Sequence, residues 1–574
     1  MNPAITGIVS LALAAAVAEG VLPEPDPVPD IQLERPRDPS HGDWSTNLAM
    51  KLAKPAGLAP RAVAEALVAR MPEHRDVVAI EIAGPGFINF RLSALVLRDV
   101  LRDVRAQGDA FGSSDLGAGK RTQVEFVSAN PVGPMHVGHG RWAALGDSIA
   151  RVLEHSGYAV EREFYINDAG VQMDIFAKSV AARYLELCGQ RVEFGEDWYR
   201  GAYIVEIARE IFETDGHDFV EMEPAKRETL FKERAYSAVL AHLKTTLAGM
   251  GTTFDVWFSE RTLHDAGPLG EPTAVEEAIE RLRGSGFVFA HEGATWFRST
   301  DFGDDKDRVL RKADGDYTYF AADVAYHTNK LDRGFQWIID LWGADHHGYV
   351  KRMEGAVAAL GHPGALTVVI GQLVTLLRDG ETVRMSKRTG EMVTFEELLD
   401  EVGPDAARYF FLRRSSDQPL DFDIGLATKH EAENPVYYVQ YAHARICSVL
   451  RKAAGLPTDT ETVGEADAEA IAARLIPADA DLGLLADEAE FVLMRKLAEF
   501  PEIVRLSAER LAPHKLTTYA EELAATFHQF YTVCRIVDPA EPALTAARLY
   551  ATDATRIVLR LVLRLLGVSA PQQM

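Results

Sequence analysis

The pattern of hydrophobic and polar positions changes its period several times along the 574 residues of the chain. Residues 123–127 alternate between polar and apolar, which predicts a half-buried strand, and residues 137–153 place apolar side chains three or four positions apart, which predicts a helix. Residues 338–342 form a second apolar strand that ends in a glycine turn. From about residue 403 the pattern is mostly helical. These patterns predict an α/β multidomain protein with a helical last part.

Two histidines, His136 and His139, stand at the start of the first predicted helix, after a loop broken by proline and glycine. The start of a helix carries unpaired N–H groups and a partial positive charge, so it suits the phosphates of a nucleotide, and imidazoles there add hydrogen-bond donors. Gly138 lies between them and, having no Cβ, lets a ring or ribose approach the backbone. The alternative is an ordinary pair of surface or core histidines, but the strand before and the helix after favour a phosphate site.

A basic loop, VRMSKRTG, stands far downstream at residues 383–390. The loop carries three cations, Arg384, Lys387 and Arg388, and ends at Gly390. These cations can neutralise the charge that builds as pyrophosphate leaves a triphosphate. The alternative is a solvated basic loop. Two such elements in this order favour the functional interpretation.

The residues around the histidines resemble the HIGH signature of class I aminoacyl-tRNA synthetases, in the form HVGH, and the basic loop resembles their KMSKS loop. A wider set of positions resembles arginyl-tRNA synthetases of bacterial type: Glu125, Ser128, Asn130, Pro131, His136, Gly138, His139, Gly140 and Arg141. The resemblance covers nearly the whole chain. It implies a Rossmann-like class I catalytic domain with a parallel sheet, an α+β N-terminal additional domain and an all-α C-terminal anticodon-binding domain.

The resemblance also implies roles for individual residues. Those expected to be catalytic are His136, His139 and Lys387, and those expected to bind ATP are Gly138, Gly343, Asp345, His346, Arg384, Met385 and Ser386. Gly343, Asp345 and His346 follow the second apolar strand, where ligands of an open parallel sheet gather. A metal site at His346 and His347 is a weaker alternative, because adjacent side chains point apart and no cysteine lies nearby.

A pocket selective for arginine needs carboxylate and amide acceptors, because a guanidinium presents a planar fork of five donors. The positions that match arginine-binding residues of the family, or lie near them, are Glu125, Ser128, Asn130, Gln172, Tyr319 and Asp323. Tyr319 and Asp323 are four positions apart in a segment with a helical pattern, so they share a face. The alternative for each of these residues is a solvated position on the surface.

The resemblance implies three domains: an N-terminal additional domain at 1–108 that engages the tRNA elbow, a catalytic domain at 115–400 with a helical insertion at about 185–290, and the anticodon-binding domain at 403–574. Tyr437, Tyr441 and Arg445 in the last domain are expected to contact tRNA, because unpaired bases stack on aromatic rings. The alternative is that the tyrosines are core rings at helical spacing.

Composition limits the function classes. The net charge of −25 repels nucleic acid over the surface as a whole, so any RNA contact must come from local basic patches and weaken with salt. Three scattered cysteines, Cys188, Cys447 and Cys534, form neither a disulfide framework nor a zinc cluster, which fits a cytoplasmic protein without bound zinc. The apolar run at 5–18 is too short to span a bilayer and lacks a basic leader, so no membrane partner is expected.

The expected activity is the ligation of L-arginine to its tRNA, tRNA(Arg), through an arginyl adenylate, with ATP as substrate and Mg²⁺ present. We expect a monomer, as the resemblance implies. Three alternatives are a class I synthetase for another amino acid, a small-molecule nucleotidyltransferase, and a tRNA-binding protein that has lost catalysis. The intact histidine pair and Lys387 argue against the last, and about 170 residues of helical C-terminal chain argue against the second.

Overall fold

The computed structural model describes residues 3–36, 38–266, 270–378, 380–383, 393–456 and 466–574. Its first part packs three helices against an antiparallel sheet of order β1-β2-β4-β3. The elements are α1 (Pro3–Ala18), β1 (Leu33–Glu34), β2 (Trp44–Thr46), α2 (Leu48–Ala56), α3 (Pro60–Val68), β3 (Val77–Ala83) and β4 (Phe87–Leu92). Gly84 and Gly86 give the β3–β4 turn its positive φ angles of 52° and 148°. Helix α4 (Ala94–Gln107) then leads toward the centre of the molecule.

The central part contains a five-stranded parallel sheet of order β12-β11-β5-β6-β7. Its elements up to the edge strand are β5 (Arg121–Glu125), α5 (Val137–His155), β6 (Ala159–Ile166), α6 (Val171–Leu187), α7 (Ala202–Asp215), α8 (Pro224–Gly249) and β7 (Val256–Ser259). The segment expected to be a helical insertion therefore also supplies β7, the edge strand of the parallel sheet.

The chain then forms a small antiparallel sheet and returns to the other half of the parallel sheet. The elements are α9 (Arg261–His264), α10 (Ala274–Gly284), β8 (Val288–His291), β9 (Ala294–Phe297), β10 (Arg308–Arg311), α11 (Tyr319–Asp332), β11 (Trp337–Gly343), α12 (Val350–Ala359) and β12 (Leu366–Gly371). Strand β5 continues through α5 to β6 on one side, while β11 pairs with β5 on the other. The carboxyl ends of β5 and β11 thus mark the switch point where ligands bind in open α/β sheets.

Helices cover both faces of this sheet. Ile339 of β11 belongs to the apolar cluster that includes α5, whereas its neighbour Ile338 belongs to the cluster that includes α11. Successive side chains of a strand point to opposite faces, so α5 and α11 lie on opposite sides. The predicted parallel sheet, within an α/β multidomain fold, is confirmed.

The last part begins with a small sheet and ends in a helical bundle. Its elements are β13 (Val374–Arg378), β14 (Glu381–Thr382), α13 (Phe395–Val402), α14 (Pro404–Leu412), β15 (Leu420–Asp423), α15 (Ile424–Ala427), α16 (Pro435–Ala453), α17 (Ala466–Leu475), α18 (Glu488–Glu509), α19 (His514–Val533) and α20 (Pro542–Leu566). The fully buried Arg408 of α14 pairs with Asp147 of α5 and donates to the Leu566 carbonyl at 3.1 Å, which joins the bundle to the central part. None of the helices in the described ranges is long and apolar enough to cross a membrane.

Candidate active site

The start of α5 presents the two predicted histidines side by side. His136 is the N-cap residue, and its ring stacks on that of His139 with the centroids 3.7 Å apart. The His136 N–H donates to His139 Nδ1 at 3.2 Å, so in a neutral His139 ring the proton lies on Nε2. A Cβ at Gly138 would lie 2.9 Å from the His136 ring, so the glycine leaves room for this ring pair. Both rings are half-buried at the entry of the helix, where an anion is favoured.

The predicted basic loop is attached next to these histidines. Lys387, Arg384, Met385 and Ser386 lie outside the described residues, but both flanks of the loop are described. Before it, the Val383 N–H donates to the Leu376 carbonyl of β13 at 2.9 Å. After it, Thr394 forms a β-bridge with His136, and the Phe395 N–H donates to the Met135 carbonyl at 2.9 Å. The chain therefore leaves the loop in direct contact with the start of α5.

The predicted adenosine-binding turn follows β11 at the same edge of the sheet. Gly343 precedes a 3-10 helix (Ala344–Tyr349) in which Asp345 and His346 are exposed, with His346 Nε2 3.4 Å from an Asp345 carboxylate oxygen. At the end of this helix the Tyr349 hydroxyl donates to Asp323 at 2.5 Å. One short segment therefore connects the predicted ATP and arginine residues.

The end of β5 is an unusual turn held by Glu125. Val127 and Ser128 have φ angles of 70° and 41°, which non-glycine residues adopt only when their surroundings enforce it. The Ser128 hydroxyl donates to Glu125 Oε1 at 2.7 Å and accepts the Tyr165 N–H at 3.2 Å. Lys330 Nζ lies 2.6 Å from the other Glu125 oxygen. Burial raises the pKa of Glu125, and Lys330 opposes that rise.

Asp323 is a carboxylate without an ion-pair partner among the described residues. It lies on the first turns of α11. Burial raises its pKa, and the neighbouring charges of Glu260 and Asp340 raise it further, against the Tyr349 hydrogen bond and the charge of His327. Such a group gains most from a cation that enters as a ligand.

The aromatic surface of the C-terminal helices is a second candidate site, which we define by Tyr437, Tyr438, Tyr441 and Arg445 of α16 with His528 and Tyr531 of α19. The rings of Tyr437 and Tyr441 stack with centroids 6.0 Å apart, and Arg445 lies 4.6 Å from the Tyr441 ring. Burial and the charge of Arg445 lower the pKa of His528 to about 4, so near pH 7 the neutral His528 ring accepts from Arg445 at 3.4 Å. The rings are half-buried or exposed, which leaves flat faces available at the surface.

Three family models match consecutive parts of the chain. They are described as the arginyl tRNA synthetase N-terminal domain at residues 4–92, the tRNA synthetases class I (R) catalytic domain at 103–415, and the DALR anticodon binding domain at 439–574. An arginine–tRNA ligase from Heliobacterium modesticaldum is 47% identical over 549 residues, which cover 96% of this chain and 94% of that protein. One from Geobacillus kaustophilus is 48% identical over 565 residues, covering 98% and 97%.

The chain belongs to the arginine–tRNA ligase family. The solved arginyl-tRNA synthetase of Thermus thermophilus shares its fold, with a TM-score of 0.73 at 23% sequence identity over 98% of this chain and 99% of that one. The family membership predicted from the sequence is therefore confirmed.

In this family member, the structure brings several predicted arginine-site residues together. Asn130 donates to the Gln172 side chain at 2.9 Å, and Glu125 contacts Ser128 as described. Tyr319 begins α11, as its helical pattern predicts, but its side chain is 78% exposed. The arginine-binding and ATP-binding roles of all these residues stay predictions.

Sequence reasoning missed two residues beside Asp323. Glu260 follows β7, is only 5% exposed, and its Oε2 accepts no hydrogen bond from the described residues. The Nε2 of His264 lies 3.8 Å from the other oxygen. Tyr349 is the second missed residue, and the only signal for it was its place just after the Gly-Ala-Asp-His-His turn. No local pattern marks Glu260.

Proposed function

We propose that this chain ligates L-arginine to tRNA(Arg) in two ATP-dependent steps. In the first, the arginine carboxylate attacks the α-phosphate of ATP and pyrophosphate leaves. In the second, the arginyl adenylate passes its acyl group to the terminal ribose of the tRNA. The observation that carries the proposal is Asp323, a carboxylate without an ion-pair partner among the described residues. It lies beside the carboxyl ends of the parallel sheet, where the loop after β5 leads to helix α5 with His136 as its N-cap.

The ATP phosphates are assigned to the start of α5. His136 and His139 offer donors there. Met385, Ser386, Gly138, Gly343, Asp345 and His346 complete the proposed ATP set. ATP is taken as its magnesium complex. No group forms a covalent bond to substrate, so the enzyme contributes positioning and charge stabilisation.

The orientation of arginine follows from the reaction. Its carboxylate must reach the α-phosphate near His136, so its α-carbon lies by Glu125, Ser128 and Asn130, on the loop that leads to that histidine. The guanidinium then points toward Asp323 and Glu260, whose carboxylate oxygens match its fork of donors. Tyr319 and Gln172 border this space on the surface side.

The tRNA partner is assigned to the aromatic surface, with Tyr437, Tyr441 and Arg445 stacking against unpaired bases. The enzyme is proposed to act as a monomer. Its cysteines, Cys188, Cys447 and Cys534, are all free thiols in the structure, which supports a cytoplasmic location.

The test is exchange of labelled pyrophosphate into ATP with each of the twenty amino acids, with and without tRNA(Arg). We expect exchange with arginine only, and only when the tRNA is present, because tRNA binding is proposed to favour the competent conformation. Exchange with another amino acid would overturn the substrate assignment, and arginine-dependent exchange without RNA would overturn only the tRNA coupling. Point variants are preferable to deletion of 403–574, which would remove Arg408 from its buried pair with Asp147.

A further inference from the structure

Buried polar side chains connect α11 to strands β5 and β11 next to the proposed arginine pocket. We call Glu125, Lys330, Asp340 and His327 the Asp340 network. Lys330 Nζ lies 2.6 Å from Glu125 and 2.8 Å from Asp340 Oδ1. His327 Nε2 lies 2.8 Å from Asp340 Oδ2. Lys330 and Asp340 are both 0% exposed.

His327 lies between Asp340 and the backbone of α11. Its Nδ1 lies 2.8 Å from the carbonyl oxygen of Asp323, and its Nε2 faces the Asp340 carboxylate. Asp340 therefore holds both Lys330 and His327. Although burial opposes ionisation, Lys330 and His327 lower the pKa of Asp340 to about 2.

The network reaches both acidic ends of the proposed pocket. Through Lys330 it holds Glu125, which in turn holds the left-handed turn at Val127 and Ser128. Through His327 it holds the backbone carbonyl of Asp323, one helical turn earlier in α11. One buried side chain, Asp340, thus connects the β5 end and the α11 end of the pocket.

Holding α11 on the sheet does not require these charges. The same helix already packs Val324, Phe320 and Leu331 into an apolar cluster with the strands. Burying charged groups carries a desolvation penalty, and well-packed apolar residues often stabilise a fold at least as well. A fixed geometry is what the charged network adds, because each of its hydrogen bonds is directional.

We propose that Asp340 is a positioning residue that fixes the spacing between Glu125 and Asp323 and thereby selects the length of the amino-acid side chain. The inference rests on the proposed function, in which arginine spans these two carboxylates. Homoarginine has the same charges and one more methylene, so charge alone does not discriminate against it. A rigid spacing between the two carboxylates does discriminate against homoarginine. A difference of one methylene typically changes kcat/KM by about 10- to 200-fold.

The experiment compares arginine with homoarginine in tRNA aminoacylation by the full chain. Asp340→Asn keeps the shape of the side chain but weakens its hold on Lys330 and His327. We expect the arginine-to-homoarginine ratio of kcat/KM to fall about tenfold or more, with the KM for arginine rising more than that for ATP. Lys330→Met, which removes one link, is the second variant in case Asp340→Asn does not fold.

The matched control is Asp147→Asn. Asp147 is also buried, at 1% exposed, and pairs with the cations Arg408 and Arg151, but none of its described hydrogen bonds or ion pairs involves the Asp340 network. We expect a lower Tm and an unchanged ratio. An unchanged ratio in a folded Asp340→Asn or Lys330→Met enzyme would overturn the inference. Asp323→Asn is measured in parallel: if it leaves the KM for arginine unchanged, the pocket itself is misassigned.

Discussion

In the proposed arginine pocket the recognising groups are carboxylates, one of which, Glu125, is bound by the fully buried Lys330, whereas on the aromatic surface they are half-buried or exposed rings of two helices. Lys330 and Asp340 have no exposed area, while Tyr531 on the aromatic surface is 41% exposed. An amino acid with two cationic groups requires charges at a fixed spacing, and these act strongly only where water is excluded. An unpaired base offers a flat face to any ring, so its site tolerates exposure.

This difference predicts that single substitutions in the pocket weaken ligand binding far more than single substitutions on the aromatic surface. It also predicts separate phenotypes, since pocket variants should affect arginine and surface variants should affect tRNA.

The largest effect is expected from Asp323→Asn. Losing the buried partner of the guanidinium should weaken arginine binding by about 3–5 kcal/mol, while ATP binding changes little. Isothermal titration of each ligand against variant and parent, with tRNA present, measures both. Equal losses for the two ligands would remove Asp323 from the pocket and erase the contrast with the aromatic surface.

A slightly smaller effect is expected from His136→Ala and His139→Ala. Each should slow adenylate formation by about 10²-fold, because a donor to the charge developing on the phosphates is lost, while arginine binding stays near normal. Single-turnover kinetics with arginine, ATP and tRNA resolves this step. A variant with an unchanged rate would show that the stacked pair serves only to begin α5.

Tyr441→Ala should have a moderate effect confined to tRNA. Loss of one stacking ring weakens tRNA binding by about 1–3 kcal/mol. Tyr441→Phe is the control, since it keeps the ring and removes only the hydroxyl that accepts from Arg445 at 2.6 Å. The KM for tRNA in aminoacylation is the measurement. If removing the hydroxyl in Tyr441→Phe accounts for most of the rise in the KM for tRNA seen in Tyr441→Ala, then Tyr441 orients Arg445 and does not stack.

The smallest effect is expected from added salt on the KM for arginine. Buried charges are screened little, so the KM for arginine should stay nearly constant when salt is raised, whereas the KM for tRNA rises because an acidic protein relies on a few local cations. Measuring both constants over a salt series gives the two slopes. Parallel slopes would show that the pocket is open to solvent ions.

The sequence by itself determined much of the local structure around the proposed site. The strand β5, the helix after His136, the strand β11 and the helix that contains Tyr319 and Asp323 all follow from local period, and family membership follows from the spacing of a few motifs. These features are local because they depend on residues within one or two turns of each other. The arginine-site roles are still predictions, although Asn130 and Gln172 do meet.

Tertiary structure alone decided which distant residues meet. Glu260 comes close to Asp323 only because β7 joins the edge of the parallel sheet, and Asp340 reaches Lys330 and His327 only because α11 packs on the face of β11 that carries it. Strand order and helix packing set these contacts, and neither leaves a periodic trace in the chain. For the same reason the sequence marked Glu125 as a ligand-binding residue but gave no sign that Lys330 and Ser128 already hold both of its oxygens.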